Sequence, residues 1–132
     1  MKKINLACII DDDPIFVFGI RRIMEMANFC NGILIYNNGK EALDALTAII
    51  KSETSLPELI LLDINMPIMD GWGFLDRIMA IEIPKPVTIY IVSSSIDPTD
   101  FNKAEEYSSV SNFIVKPVTV EKLKHILKEF TP

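Results

Sequence analysis

Four places in this chain put charged or hydroxyl residues directly behind a short apolar run. Asn5–Ile10 leads into Asp11, Asp12 and Asp13, and Glu58–Leu62 leads into Asp63. Val87–Val92 is followed by Ser93, Ser94 and Ser95, and Asn112–Val115 by Lys116 and Pro117. Open parallel sheets bind ligands outside the carboxyl ends of their strands. If these runs are such strands, carboxylates, a hydroxyl and an ammonium meet at one rim. Two carboxylates about 4 Å apart repel by roughly 4 kcal/mol at an effective dielectric near 20. Without a counter-charge, such a cluster raises a pKa or loosens its loops. Hard oxygen ligands with open positions suit Mg²⁺, which keeps waters and accepts phosphate oxygens. Lys116 adds a second positive charge and Ser93 a hydrogen-bond donor. Metal, ammonium and hydroxyl together match the charge on the equatorial oxygens of a phosphoryl group. A carboxylate among them is a nucleophile for phosphorus.

The elements that must position these residues alternate along the whole chain. The apolar runs fit strands buried on both faces. Helices are expected between them. Pro14–Asn28 has Asp13 as N-cap, Pro14 at the first helical position, and a core stripe of Phe16, Ile20, Ile23 and Ala27. Gly32–Tyr36 reads as a strand, followed by a turn at Asn37-Asn38-Gly39. Lys40–Lys51 is a helix with Ala42, Leu43, Leu46, Ile49 and Ile50 apolar, and Ser52–Pro57 a linker. A helix follows the loop Asp63–Gly71 and runs through about Ile81, and Thr99–Tyr107 and Thr119–Phe130 complete the helices. The last turns Val120, Leu123, Ile126, Leu127 and Phe130 inward. Successive strand–helix units imply an α/β fold, a single parallel sheet with helices on both faces.

The 132 residues suit one domain and can bury a sizeable core without disulfides. A net charge of −5 gives no basic surface for nucleic acid and no reason to bind an anionic membrane. No apolar run approaches the length of a membrane span, and the start of the chain does not read as a signal peptide. Cys8 and Cys30 lack metal-ligand spacing and read as buried free thiols, which suit a reducing, cytoplasmic compartment.

The chain resembles the response-regulator receiver domains of two-component signalling systems over essentially its whole length. The matching segments are Ile9-Ile10-Asp11-Asp12-Asp13-Pro14, Leu61–Gly71 with its Asp63-Ile64-Asn65-Met66-Pro67 core, Ile91-Val92-Ser93-Ser94 and Ile114-Val115-Lys116-Pro117. The resemblance implies a flavodoxin-like doubly wound sheet of five parallel strands, in the order 2-1-3-4-5, flanked by five helices. It implies that Asp63 is the phosphoacceptor and a metal ligand, that Asp12 binds Mg²⁺ directly, and that Asp11 does so mainly through water. The backbone carbonyl of Asn65 would complete the protein's share. Ser93 would be the switch hydroxyl, Lys116 the phosphoryl partner, Lys116-Pro117 a cis bond, and Phe113 the aromatic residue whose rotamer reports activation. The phosphodonor would be a sensor histidine kinase or a histidine phosphotransfer protein. The face of the fourth helix, fifth strand and fifth helix would meet a downstream protein target. Residues 1–132 would form one receiver with no output domain, monomeric or dimerising on phosphorylation. It would not be an enzyme beyond catalysing its own phosphorylation and dephosphorylation.

Plainer readings stand beside these. Alone, Asp11 and Asp12 read as a solvated turn, Asp13 as a cap, Asp70 as turn chemistry, and Ser94 and Ser95 as loop residues. His125 reads as a solvated helix residue and not a phosphohistidine. Met24, Met26, Met66, Met69 and Met79 read as packing. Trp72 is expected near the site. Two other functions remain: a receiver-fold interaction module acting without phosphorylation, and a small phosphatase of the haloacid-dehalogenase type. The latter usually carries a second aspartate two residues after the first, where this chain has Asn65. Ser94 departs from the smaller residue frequent after the switch hydroxyl, and the second helix with its linker is somewhat long.

Overall fold

The computed structural model describes residues 4–52 and 54–130; of Phe130 only the backbone is described, so its expected inward side chain lies outside the described residues. The strands are β1 (Ile4–Ile10), β2 (Cys30–Tyr36), β3 (Leu59–Leu62), β4 (Thr88–Ser93) and β5 (Val110–Val115). The helices are α1 (Pro14–Met26), α2 (Gly39–Ser52), α3 (Gly71–Ile78), α4 (Pro98–Glu105) and α5 (Val120–Phe130). All strand pairs are parallel, and the sheet runs β2-β1-β3-β4-β5.

Strand residues alternate between two apolar cores, as the period of two demands. Ala7, Ile9, Leu59, Leu61, Tyr90 and Val92 face one core, closed by Ile20 and Met24 of α1 and by Leu123, Ile126 and Leu127 of α5. Their neighbours Cys8, Ile10, Ile60, Leu62, Ile89 and Ile91 face the other, closed by Ala42 and Leu46 of α2, Phe74, Leu75 and Ile78 of α3, and Ala104 of α4. Burying one such aliphatic side chain stabilises the fold by about 1.5–3 kcal/mol, so inverting a strand's register is prohibitive.

Boundaries differ from the sequence expectation where local chemistry intervenes. The third helix stops at Ile78, because the next N–H groups, of Ala80 and Ile81, bond three residues back to Arg77 and Ile78 and the chain leaves in a turn. The fifth strand starts at Val110, earlier than Asn112, where it pairs with Ile89 across an irregular register. Two of the methionines do not pack as expected: Met26 is 77% and Met79 43% exposed, whereas Met24 is buried. Cys8 is buried and free, and burial pushes its thiol up to about 12, while Cys30 is only half-buried. No described helix is long and apolar enough to cross a membrane.

Candidate functional site

The winding direction reverses between β1 and β3, the point at which open parallel sheets bind ligands beyond the strand ends. Register brings the acids to it. Ile10 pairs with Leu62. Asp11 and Asp63 therefore follow at the same level, and the Asp63 N–H donates to the Ile10 carbonyl at 2.9 Å. At the other side Ser93 pairs with Val115, and the Lys116 N–H donates to the Ser93 carbonyl at 2.8 Å. The Lys116-Pro117 peptide bond is cis, as the resemblance implied.

Carboxylate oxygens of Asp11, Asp12 and Asp63 lie within 4.8 Å of one another. Asp11 and Asp63 are buried, while Asp12 is exposed. Lys116 lies between the two buried acids. Its Nζ is 2.9 Å from Asp11 Oδ2 and 3.9 Å from Asp63 Oδ2. The nearer contact lies off the hydrogen-bonding direction, so the buried Asp11 Oδ2 makes no directed hydrogen bond. Asp11 Oδ1 accepts the Asp13 N–H at 2.9 Å, and Asp63 Oδ1 accepts the Ile64 N–H at 2.9 Å. The Asn65 N–H also faces Asp63, while the Asn65 side chain is exposed.

This crowding raises both buried acids above the ordinary carboxylate range. Burial is the main cause at Asp63, Asp11 adds repulsion, and Lys116 and the loop N–H groups only partly offset them, leaving it at about 6. Asp11 is raised by burial and by Asp12, against the pull of Lys116 and the Asp13 N–H. A three-carboxylate set with an undirected buried oxygen and net negative charge fits a hard divalent cation that retains water ligands.

The Ser93 side chain is fully buried beside this group, and its Oγ accepts the Ser95 N–H at 3.2 Å. Ser95 does more than fill a loop: its hydroxyl donates to Asp100 at 2.6 Å and accepts the Asp97 N–H at 3.2 Å. Asp97 in turn caps α4. Ser94 is exposed. Asp13 caps α1 by accepting the Ile15 N–H, and Asp70 caps α3 by accepting the Gly73 N–H. Phe113 is half-buried against Phe101 of α4, with ring centroids 4.3 Å apart. Trp72 stacks on Tyr107, with ring centroids 5.7 Å apart. His125 is 70% exposed and lies 3.2 Å from Glu129.

Sequence reasoning missed three neighbours of these residues: Ser95 behind Ser93, Phe101 beneath Phe113, and Phe16, whose ring lies 4.2 Å from the Lys116 ammonium. Ser95 had a signal, since a serine two residues before a helix-capping Asp97 suits a hydrogen-bonded turn. Phe16 read only as a core residue.

The family profile described as "Response regulator receiver domain" matches residues 7–128. The probable methanogenesis regulatory protein FilR2 of Methanothrix harundinacea is 30% identical over 92% of this chain and 77% of its own length. A protein-glutamate methylesterase/protein-glutamine glutaminase of Methanococcoides burtonii is 30% identical over 92% of this chain, which spans only 32% of that protein. The crystal structure of a two component response regulator from Cytophaga hutchinsonii is 30% identical and superposes with a TM-score of 0.87 over 97% of both chains. Strand order, rim chemistry and these likenesses agree, and the chain belongs to the response regulator receiver domain family.

Proposed function

We propose that this receiver domain is a switch that accepts a phosphoryl group on Asp63, with Mg²⁺ held by Asp11, Asp12, Asp63 and the backbone carbonyl of Asn65. The observation that carries this reading is the Lys116 ammonium set between two buried carboxylates on the rim they share with Asp12. An Asp63 oxygen forms the new P–O bond as the bond to a donor imidazole nitrogen breaks, and the electron pair returns to that nitrogen. Bound Mg²⁺ supplies charge neutralisation of the phosphoryl oxygens. Lys116 offsets the negative charge on one of those oxygens, and the Ser93 hydroxyl donates to another. Burial of Asp63 and Ser93 limits the water that can reach the product.

The phosphodonor in this reading is a phosphohistidine of a sensor kinase or phosphotransfer protein. A segment of the sensor histidine kinase CheAY of Helicobacter pylori is 32% identical over 73% of this chain. The outer surface of α1, which starts at the rim, suits a docking partner. Ile15, Phe18 and Met26 of α1 are 82%, 64% and 77% exposed and share one helical stripe. Ser93 is tied through Ser95 to α4, and Phe113 packs on Phe101 of the same helix. A new charge at Asp63 therefore biases the α4–β5–α5 face, which changes its affinity for a downstream protein. In this reading the domain acts in the cytoplasm and signals through a partner protein.

The test is incubation with Mg²⁺ and acetyl phosphate, followed by intact mass. Wild type gains one phosphoryl group and Asp63→Asn gains none. Equal labelling of the two, or none on wild type, sinks the proposal.

A further inference from the structure

We propose that Phe16 is a positioning residue for Lys116: its ring holds the ammonium where it can serve the phosphoryl group on Asp63. The inference rests on the function proposed above. Lys116 Nζ lies 4.2 Å from the centroid of the Phe16 ring, well inside the range of a cation–π attraction. The other cation–ring pairs, Lys103 over Trp72 at 5.1 Å and Arg22 over Phe18 at 5.8 Å, are looser.

The geometry gives the contact a task. A lysine ends in a point charge on a flexible four-carbon stem, and nothing intrinsic fixes its direction. Asp11 attracts it from 2.9 Å and Asp63 from 3.9 Å. The nearer acid alone would draw the ammonium away from the site of chemistry. Phe16 supplies a third wall. It stands in the first turn of α1, and the Asp13 cap and Pro14 fix the start of that helix beside the rim. Only 16% of the Lys116 side chain is exposed, so the ring meets a partly dehydrated charge, where the attraction is stronger. A ring face attracts broadly, without a single preferred point. It restrains the ammonium from swinging to solvent, yet lets it move from Asp11 toward a phosphoryl oxygen. A charge already in place when the transition state forms lowers the barrier.

Phe16 also packs at the edge of a core, so loss of the ring could act through stability alone. Stepwise fluorination separates the two effects, because fluorine drains the ring's negative face with little change in size. The protein is prepared with mono-, di- and trifluorophenylalanine at position 16, beside Phe16→Leu and Phe16→Trp. The rate of phosphate uptake from acetyl phosphate at saturating Mg²⁺ is read by intact mass, with Tm and Mg²⁺ affinity measured in parallel. Uptake should slow roughly 3- to 10-fold in Phe16→Leu, decline stepwise along the fluorinated series, and hold in Phe16→Trp. Tm and Mg²⁺ affinity should stay level across the fluorinated proteins. Wild type that labels while the fluorinated series stays flat, or a series in which rate tracks Tm, overturns the role of Phe16 alone. Wild type that takes up no phosphate overturns the parent reading and this one with it.

Discussion

Lys116 is an unequal neighbour to its two acids: its ammonium lies 2.9 Å from Asp11 but 3.9 Å from Asp63. In this state Lys116 chiefly answers the charge of Asp11, whose Oδ2 is buried without a directed hydrogen bond. The ammonium and a divalent cation then compete for the same carboxylate group. Lys116→Met should therefore bind Mg²⁺ more tightly, on the order of tenfold, because it removes a positive charge that neutralises two of the carboxylates that would hold the metal. The same change should slow phosphate uptake by about 10- to 100-fold, since the charge that answers the phosphoryl oxygens is gone. A Mg²⁺ titration followed by Trp72 fluorescence, paired with intact-mass kinetics, separates the two effects. Unchanged or weaker Mg²⁺ binding would falsify the competition.

Asp63 gives a pH dependence whose sign is fixed by its burial. Its carboxyl is raised from 3.8 to about 6, mainly by desolvation. A raised folded-state pKa favours folding below the unfolded value, and that advantage is lost as pH rises through the folded one. Metal-free wild type thus carries a buried charge at neutral pH that Asp63→Asn lacks. The variant should be more stable at about pH 8 by on the order of 1–3 kcal/mol, and the gap should close below about pH 4. Mg²⁺ should raise the stability of wild type more than that of the variant. Urea denaturation at several pH values, with and without Mg²⁺, checks both statements. A gap independent of pH would remove desolvation of Asp63 as its source.

The fold was largely legible because its signals are local. Each strand that ends the rim is an apolar run stopped by Asp11, Asp63, Ser93 or Lys116, and the first, second and last helices carry apolar stripes. The register of Ile10 with Leu62 then brings Asp11 and Asp63 level, which strand-end reading anticipates. What escaped was contact between elements distant in sequence. Nothing local tells that Phe16 of α1 meets Lys116 after β5, or that Phe101 of α4 lies under Phe113. Met26 misled because a methionine beside an apolar stripe reads as packing, although its place on the helix turns it to solvent. Backbone detail was equally hidden: Ile68, an ordinary loop residue in sequence, adopts a φ of 71°.

That loop, between Asp63 and α3, supports a last prediction with two opposite signs. At Ile68 the side chain is 83% exposed and packs little, while the backbone holds a left-handed conformation costly for a β-branched residue. Ile68→Gly removes that cost and surrenders little burial, so it should stabilise the protein by about 0.5–1 kcal/mol, net of the greater freedom glycine gives the unfolded chain. Gly71 is the reverse case. A Cβ there would meet the Asp63 carbonyl oxygen at 2.5 Å and the Ile64 Cα at 2.8 Å, both backbone atoms of the segment that carries the phosphoacceptor candidate. The Gly71 N–H also donates to the Ile64 carbonyl at 3.0 Å, which keeps the helix start pressed against that segment. Gly71→Ala should therefore destabilise by roughly 2 kcal/mol or more and displace Asp63, slowing phosphate uptake beyond what the loss of stability explains. Urea denaturation of both variants, with uptake measured well below their unfolding midpoints, decides it. Equal uptake in Gly71→Ala and wild type would show that the close approach at Gly71 does not hold Asp63 in place.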